Sequence, residues 1–120
     1  MEPILAITAV GGTRVAELVS GALGTERDAT DVVGNASFQY AELVILDARQ
    51  LPAQFFDLST GIAGAVLQKF SNHRLRLVIV GYDPSHASES LKALIRESNR
   101  GSWVWFVADR EEALRRIAAA

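Results

Sequence analysis

Short, unbroken apolar runs alternate along the chain with longer stretches whose apolar residues recur every three or four positions. The first run, Ile4 to Val10, is rich in β-branched residues and ends at Gly11-Gly12, after which Thr13 to Ser20 alternates, Val15, Glu17 and Val19 with Arg14, Ala16 and Leu18. Two strand-like runs joined by a glycine pair predict a β-hairpin with a two-residue turn. Val15, Leu18, Val19 and Ala22 also fit a helical stripe over Thr13 to Leu23, but the glycine pair favours the hairpin. Leu43 to Leu46, Leu75 to Val80 (with Arg76 inside it) and Trp103 to Val107 are three further runs. They end at Asp47, Gly81 and Ala108-Asp109. Continuous apolar runs suit strands buried on both faces, as in a parallel sheet.

Helical periodicity fills the intervals. Asp28 is placed to cap a helix running to about Phe38, with Val32, Val33 and Ala36 inward. Thr60 to Phe70 carries a stripe of Ile62, Ala63, Val66, Leu67 and Phe70. Gly61 and Gly64 in that segment suggest close approach of another backbone. Ser88 to Asn99 turns Leu91, Leu94 and Ile95 inward and stops at Gly101. Asp109 and Glu112 form a capping-box-like pair for a last helix. The order predicts an α/β fold: a mixed, largely parallel five-stranded sheet with about four helices, an N-terminal hairpin followed by alternating α and β. The strands fall near 4–10, 13–20, 43–47, 75–80 and 103–107, the last three mutually parallel and joined by right-handed crossovers. Phe56, rather than Phe55, is among the predicted core residues.

Composition narrows the chemistry. The 120 residues are 49% apolar and 22% charged, the balance of a globular domain, expected here to be a single one over 1–120. The net charge of −2, from 12 basic and 14 acidic residues, gives no footprint for nucleic acid. The absence of cysteine removes disulfides and thiolate chemistry. Met1-Glu2-Pro3-Ile4 has no basic leader, and no apolar run is long enough to span a bilayer, so a cytoplasmic, membrane-free location is expected. No Gly-x-Gly-x-x-Gly, Gly-Lys-Ser/Thr or Gly-x-Ser-x-Gly occurs. His73 and His86 lack zinc-site spacing. No catalytic residue, metal or cofactor is therefore predicted.

Three places remain for function. Ligands of open α/β sheets bind beyond the carboxyl ends of the strands. There the chain offers Asp47 and Arg49, then Tyr82, Asp83, Ser85 and His86, then Asp109 and Arg110. Asp47, Asp83 and His86 are the candidates for a ligand or enzymatic site, with His86 as a proton carrier beside Asp83. The second place is Asp57-Leu58-Ser59-Thr60-Gly61, which opens a helix. Hydroxyls there face unsatisfied N–H groups and can either cap the helix or, as phosphate esters, be stabilised by it. The third is the strand with Trp103 and Trp105, whose indoles share one face. As the last strand it is expected at the sheet edge, with at least one of Trp103 and Trp105 at or near a homodimer contact.

Two resemblances follow from these segments. Phe55 to Gly61, Leu67-Gln68-Lys69-Phe70-Ser71-Asn72 and Glu97-Ser98-Asn99-Arg100-Gly101 resemble a bacterial family known only as a domain of unknown function. That likeness covers nearly the whole chain and implies no activity. The order of elements and the passage Leu43 to Val80 also resemble the STAS domains of anti-sigma factor antagonists. Those domains have a strand ending in Asp, then an Asp-Ser-Ser-Gly helix start whose second serine is phosphorylated by a partner kinase. Thr60, directly before Gly61, matches the acceptor with threonine for serine, Ser59 matches its neighbour, and Asp57 corresponds with Leu58 as an insertion. The STAS resemblance implies a STAS-like, non-enzymatic module that binds a protein partner, switched by phosphorylation at Thr60. The alternative is a small-molecule-binding or enzymatic domain using the strand carboxyl ends.

Overall fold

In the computed structural model, which describes residues 3–120, the glycine pair does make the hairpin. β1 (Ile4–Val10) and β2 (Thr13–Ser20) pair antiparallel, with Val10 opposite Thr13. Gly11 and Gly12 have φ of 55° and 84°, left-handed values that a two-residue turn needs and that glycine adopts without strain. A bulge near Leu5 displaces the register, so that Ile4 meets Ser20.

From β2 onward the chain alternates: α1 (Glu26–Phe38), β3 (Leu43–Asp47), α2 (Ile62–Asn72), β4 (Arg76–Val80), α3 (Glu89–Arg100), β5 (Val104–Val107) and α4 (Arg110–Ala119). The sheet has five strands in the order β1-β2-β3-β4-β5, all parallel pairs except the hairpin. This is the mixed, largely parallel sheet with four helices that the run pattern predicts. Strand order equals chain order, so the sheet has no reversal of strand order, the point where open α/β sheets usually form their ligand crevice.

The two faces are covered unequally. Ala16, Val44, Leu46, Leu77 and Ile79 on one face pack with Val32 and Val33 of α1 and Val66 and Phe70 of α2. Ile95 of α3 lies against the same cluster. Val15, Leu43, Ile45, Val78 and Trp105 on the other face pack with Ala113 and Ile117 of α4. The continuous apolar runs therefore bury both faces, at about 25 cal/mol per Å² of apolar surface. No helix is long and apolar enough to cross a membrane among the described residues.

Several boundaries move for local reasons. Thr25, not Asp28, caps α1: its hydroxyl accepts the Asp28 N–H (3.1 Å), and the Asp28 carboxylate returns to the Thr25 N–H (3.1 Å). α2 starts at Ile62 rather than Thr60, because Leu58–Thr60 forms a separate 3₁₀ turn and Gly61 is left-handed. Gly64 is exposed, with nothing near the position of an added Cβ, so it serves no close approach. Phe55 is fully buried, whereas Phe56 is half-buried and stacks on Tyr82 with ring centroids 4.1 Å apart.

Candidate functional site

The carboxyl ends of β2 and β3 carry two bidentate ion pairs. Asp47, the last residue of β3, accepts the Arg49 backbone N–H (2.8 Å) and its Nε (3.0 Å) on Oδ1, and Nη2 (3.2 Å) on Oδ2. The Gln50 side chain returns to the Asp47 N–H (2.9 Å) and donates to the carbonyls of Leu18 (3.1 Å) and Gly21 (3.3 Å). Asp47 is thus the cap of a 3₁₀ turn over Ala48–Gln50, and Arg49 holds its carboxyl below the usual carboxylate range. Beside it, Arg110 at the start of α4 donates Nε and Nη2 to Glu17 of β2 at 2.8 and 2.9 Å. Glu17, Leu18, Val19, Asp47, Arg49 and Gln50 line a groove of about 580 Å³. Each of these carboxylates already has a guanidinium partner, so neither is an unsatisfied acid or base.

Asp83 and His86 lie elsewhere. Asp83 caps a 3₁₀ turn over Pro84–His86 by accepting the Ser85 N–H (3.0 Å), a bond that lowers its pKa. It lines a separate depression of about 400 Å³ with Pro84, Ser85 and three residues of α3. His86 is exposed. Asp47 and Asp83 therefore do not converge on one pocket, and the fold does not assemble the trio named from the sequence. Among the described residues no three His, Cys, Asp or Glu side chains cluster as a metal site.

The hydroxyl segment is tied to itself. Asp57 accepts the Ser59 N–H (3.1 Å) and hydroxyl (2.6 Å), and that hydroxyl bond depresses its pKa. The Thr60 hydroxyl lies 2.8 Å from the carbonyls of both Gln54 and Asp57, to which it can donate, and accepts the Ile62 N–H (3.2 Å). It joins the 3₁₀ turn at Ala53–Phe56, the turn at Leu58–Thr60 and the first residue of α2. Thr60 is nonetheless an exposed residue, at a depression of about 250 Å³ between the starts of α1 and α2.

The two tryptophans separate. Trp105 is 5% exposed, has the guanidinium carbons of Arg116 and Arg76 over its ring at 4.3 and 5.0 Å from the centre, and donates Nε1–H to the Gly101 carbonyl (2.8 Å). Helix α4 folds over it, so within the single chain the indole is buried against Ala113 and Ile117. Trp103 precedes β5 and is 50% exposed.

Sequence reasoning missed Glu17 and Gln50, which stand within or just after apolar runs and gave no motif. It also missed the turn after α1, where Phe38 and Tyr40 are 84% and 82% exposed. Tyr40 has φ 62°, unusual for a bulky residue, and the preceding Gln39 carbonyl accepts Arg14 Nε at 2.7 Å. Phe38 was legible as an outlier, since it lies off the Val32-Val33-Ala36 stripe.

Residues 11–117 match the family described as Domain of unknown function (DUF4180), and the chain belongs to that family. No curated protein matches the chain.

Proposed function

For this member of a family whose description carries no activity, we propose a non-enzymatic, STAS-like module that binds a protein partner and is controlled by phosphorylation at Thr60. The observation that carries the reading is the Thr60 hydroxyl, a single exposed group whose bonds hold Gln54, Asp57 and Ile62 together. A phosphate ester has no hydroxyl proton to share with two carbonyls, and it adds about −1.5 to −2 charge beside the Asp57 carboxylate. Modification would therefore release the segment between Gln54 and Ile62 and change the surface offered to a partner. Ser59, bonded to Asp57, is the neighbouring acceptor. The pairing of Glu17 and Asp47 with arginines supports a binding role over acid–base catalysis.

The test compares wild type, Thr60→Val and Thr60→Asp, with the intact mass of the protein isolated from its native cells. The reading expects a phosphorylated fraction that Thr60→Val lacks, and a partner bound by Thr60→Val but not by Thr60→Asp, or the reverse. An unmodified mass under all growth conditions, with one partner list for all three proteins, overturns it.

A further inference from the structure

A sheet of five strands has two edges, and this one treats them differently. On the outer edge of β5 the backbone groups of Phe106 are taken by a side chain: Asn99 of α3 accepts the Phe106 N–H (2.8 Å) and donates to its carbonyl (3.2 Å). That amide stands where a sixth strand would pair. β5 is also only four residues long. Short length and an occupied backbone are two ways of blunting an edge.

The outer edge of β1 has none of these devices. It is seven residues long, Ile-Leu-Ala-Ile-Thr-Ala-Val, with no charge and no proline. Among the described residues no side chain bonds its backbone. The two-residue turn makes Val10 and Thr13 an exchanged pair, so the backbone groups of Ala6, Thr8 and Val10 are used on β2. Those of Leu5, Ile7 and Ala9 point outward. Ile4, together with Val19 on the neighbouring strand, is among the exposed large aliphatic residues.

We propose that a second copy of the chain pairs with this edge, two β1 strands running antiparallel so that both sheets become one. The strand's own sequence argues for a copy of itself. A two-fold axis at Ile7 sets Leu5 opposite Ala9, Ala6 opposite Thr8, Ile4 opposite Val10 and Ile7 opposite its own copy, so every pair is uncharged, the β-branched Ile4, Ile7 and Val10 meet β-branched partners, and no like charges meet. A partner strand that relied on ion pairs would find no countercharge along β1. The contact also brings the exposed Ile4 beside Val10, which packs against the cluster under α4. This contact lies on the opposite side of the sheet from β5, whose outer Phe106 backbone groups Asn99 binds.

The experiment uses the full chain, with mass measured by analytical ultracentrifugation from about 5 to about 500 µM, the range where a small strand-edge contact associates. Hydrogen exchange is read at both ends of that range. Wild type is expected to shift from one chain to two, with the amides of Leu5, Ile7 and Ala9 slowing by about tenfold in the dimer. Amides directed at β2 keep their rates. Ala9→Pro removes one outward N–H while leaving the hairpin's own bonds, and is expected to stay monomeric with an unchanged circular dichroism spectrum. Ala9→Ser, which keeps the N–H, dimerises. A monomer throughout the range overturns the proposal. So does a dimer in which the three outward amides stay unprotected, a result that stands whether or not Ala9→Pro folds.

Discussion

Trp105→Ala and Trp103→Ala make the same chemical change two residues apart, and the fold expects them to differ sharply. Trp105 is 5% exposed, lies under Ala113 and Ile117 of α4 and spends its one polar atom on the Gly101 carbonyl. Truncating a buried tryptophan costs about 3–5 kcal/mol, the lost apolar contact and the cavity together. The hydrogen bond contributes about 1 kcal/mol, and each stacked guanidinium about 0.5–1 kcal/mol, contributions that overlap the truncation cost. A loss near 4 kcal/mol is therefore expected. For a chain of this size that is a fall in Tm of roughly 15 °C. Trp103 is 50% exposed and its structural bond is the backbone carbonyl that accepts the Leu77 N–H, which an alanine keeps. Its loss should stay below about 1 kcal/mol. Urea unfolding followed by far-ultraviolet circular dichroism measures both without relying on indole emission. Fluorescence supplies a second readout, because each variant keeps one tryptophan: the Trp103→Ala protein should emit to the blue of the Trp105→Ala protein. Equal destabilisation of the two variants, or a larger loss at Trp103, would refute the placement of α4 over β5.

Three further outcomes follow from the same packing. Phe55→Ala should cost about 3–5 kcal/mol and Phe56→Ala about half of that or less, since only Phe55 is fully buried; denaturation midpoints at constant m-value decide it. Asp47 has a depressed pKa in the folded protein, chiefly from its bond to the Arg49 side chain, so its stabilisation is present at neutral pH and is lost as pH falls through that lowered value. Asp47→Asn should therefore be less stable than wild type at pH 7, by under about 1 kcal/mol for this partly exposed pair, and the gap in chemical denaturation should close below about pH 4. Gly11→Ala should be the more damaging of the two turn substitutions: an added Cβ would meet the Ala118 Cα at 2.7 Å, while at Gly12 nothing lies within 4 Å. Gly12→Ala should cost only the left-handed strain, about 1–2 kcal/mol, and a comparison of melting temperatures separates them.

What was legible in the sequence was whatever depends on local pattern. The hairpin could be read because Gly11-Gly12 is a backbone requirement as much as a composition, and the parallel strands because burial on both faces leaves no polar position in Val44-Ile45-Leu46 or Leu77-Val78-Ile79. Helix starts were harder. Asp28 and Thr25 are both capping residues three positions apart, and only the reciprocal bonds show that Thr25 is the cap and Asp28 its return partner. Phe55 and Phe56 defeat periodicity for a related reason: in a 3₁₀ turn neighbouring side chains diverge, and no helical or strand period says which one faces the core.

The candidate site was less legible because its defining bonds are long-range. Nothing near Glu17 in the chain announces Arg110, which lies 93 residues away and arrives only because α4 crosses the face opposite the other three helices. Asp47, Asp83 and His86 group together in the sequence because each lies at or beyond the carboxyl end of a strand, yet that position fixes only which end of the sheet a residue occupies. With strand order equal to chain order, Asp47 and Asp83 leave neighbouring strands and are drawn into separate 3₁₀ turns, each carboxylate spent on capping its own turn. The same one-way order leaves β1 with a single neighbour, while β5, at the other margin, has its Phe106 backbone groups bound by Asn99. Composition could place no charge on β1, but only topology made that lack of charge consequential: the same seven residues in the middle of the sheet would be ordinary core, and at its margin their outward backbone groups meet no partner among the described residues.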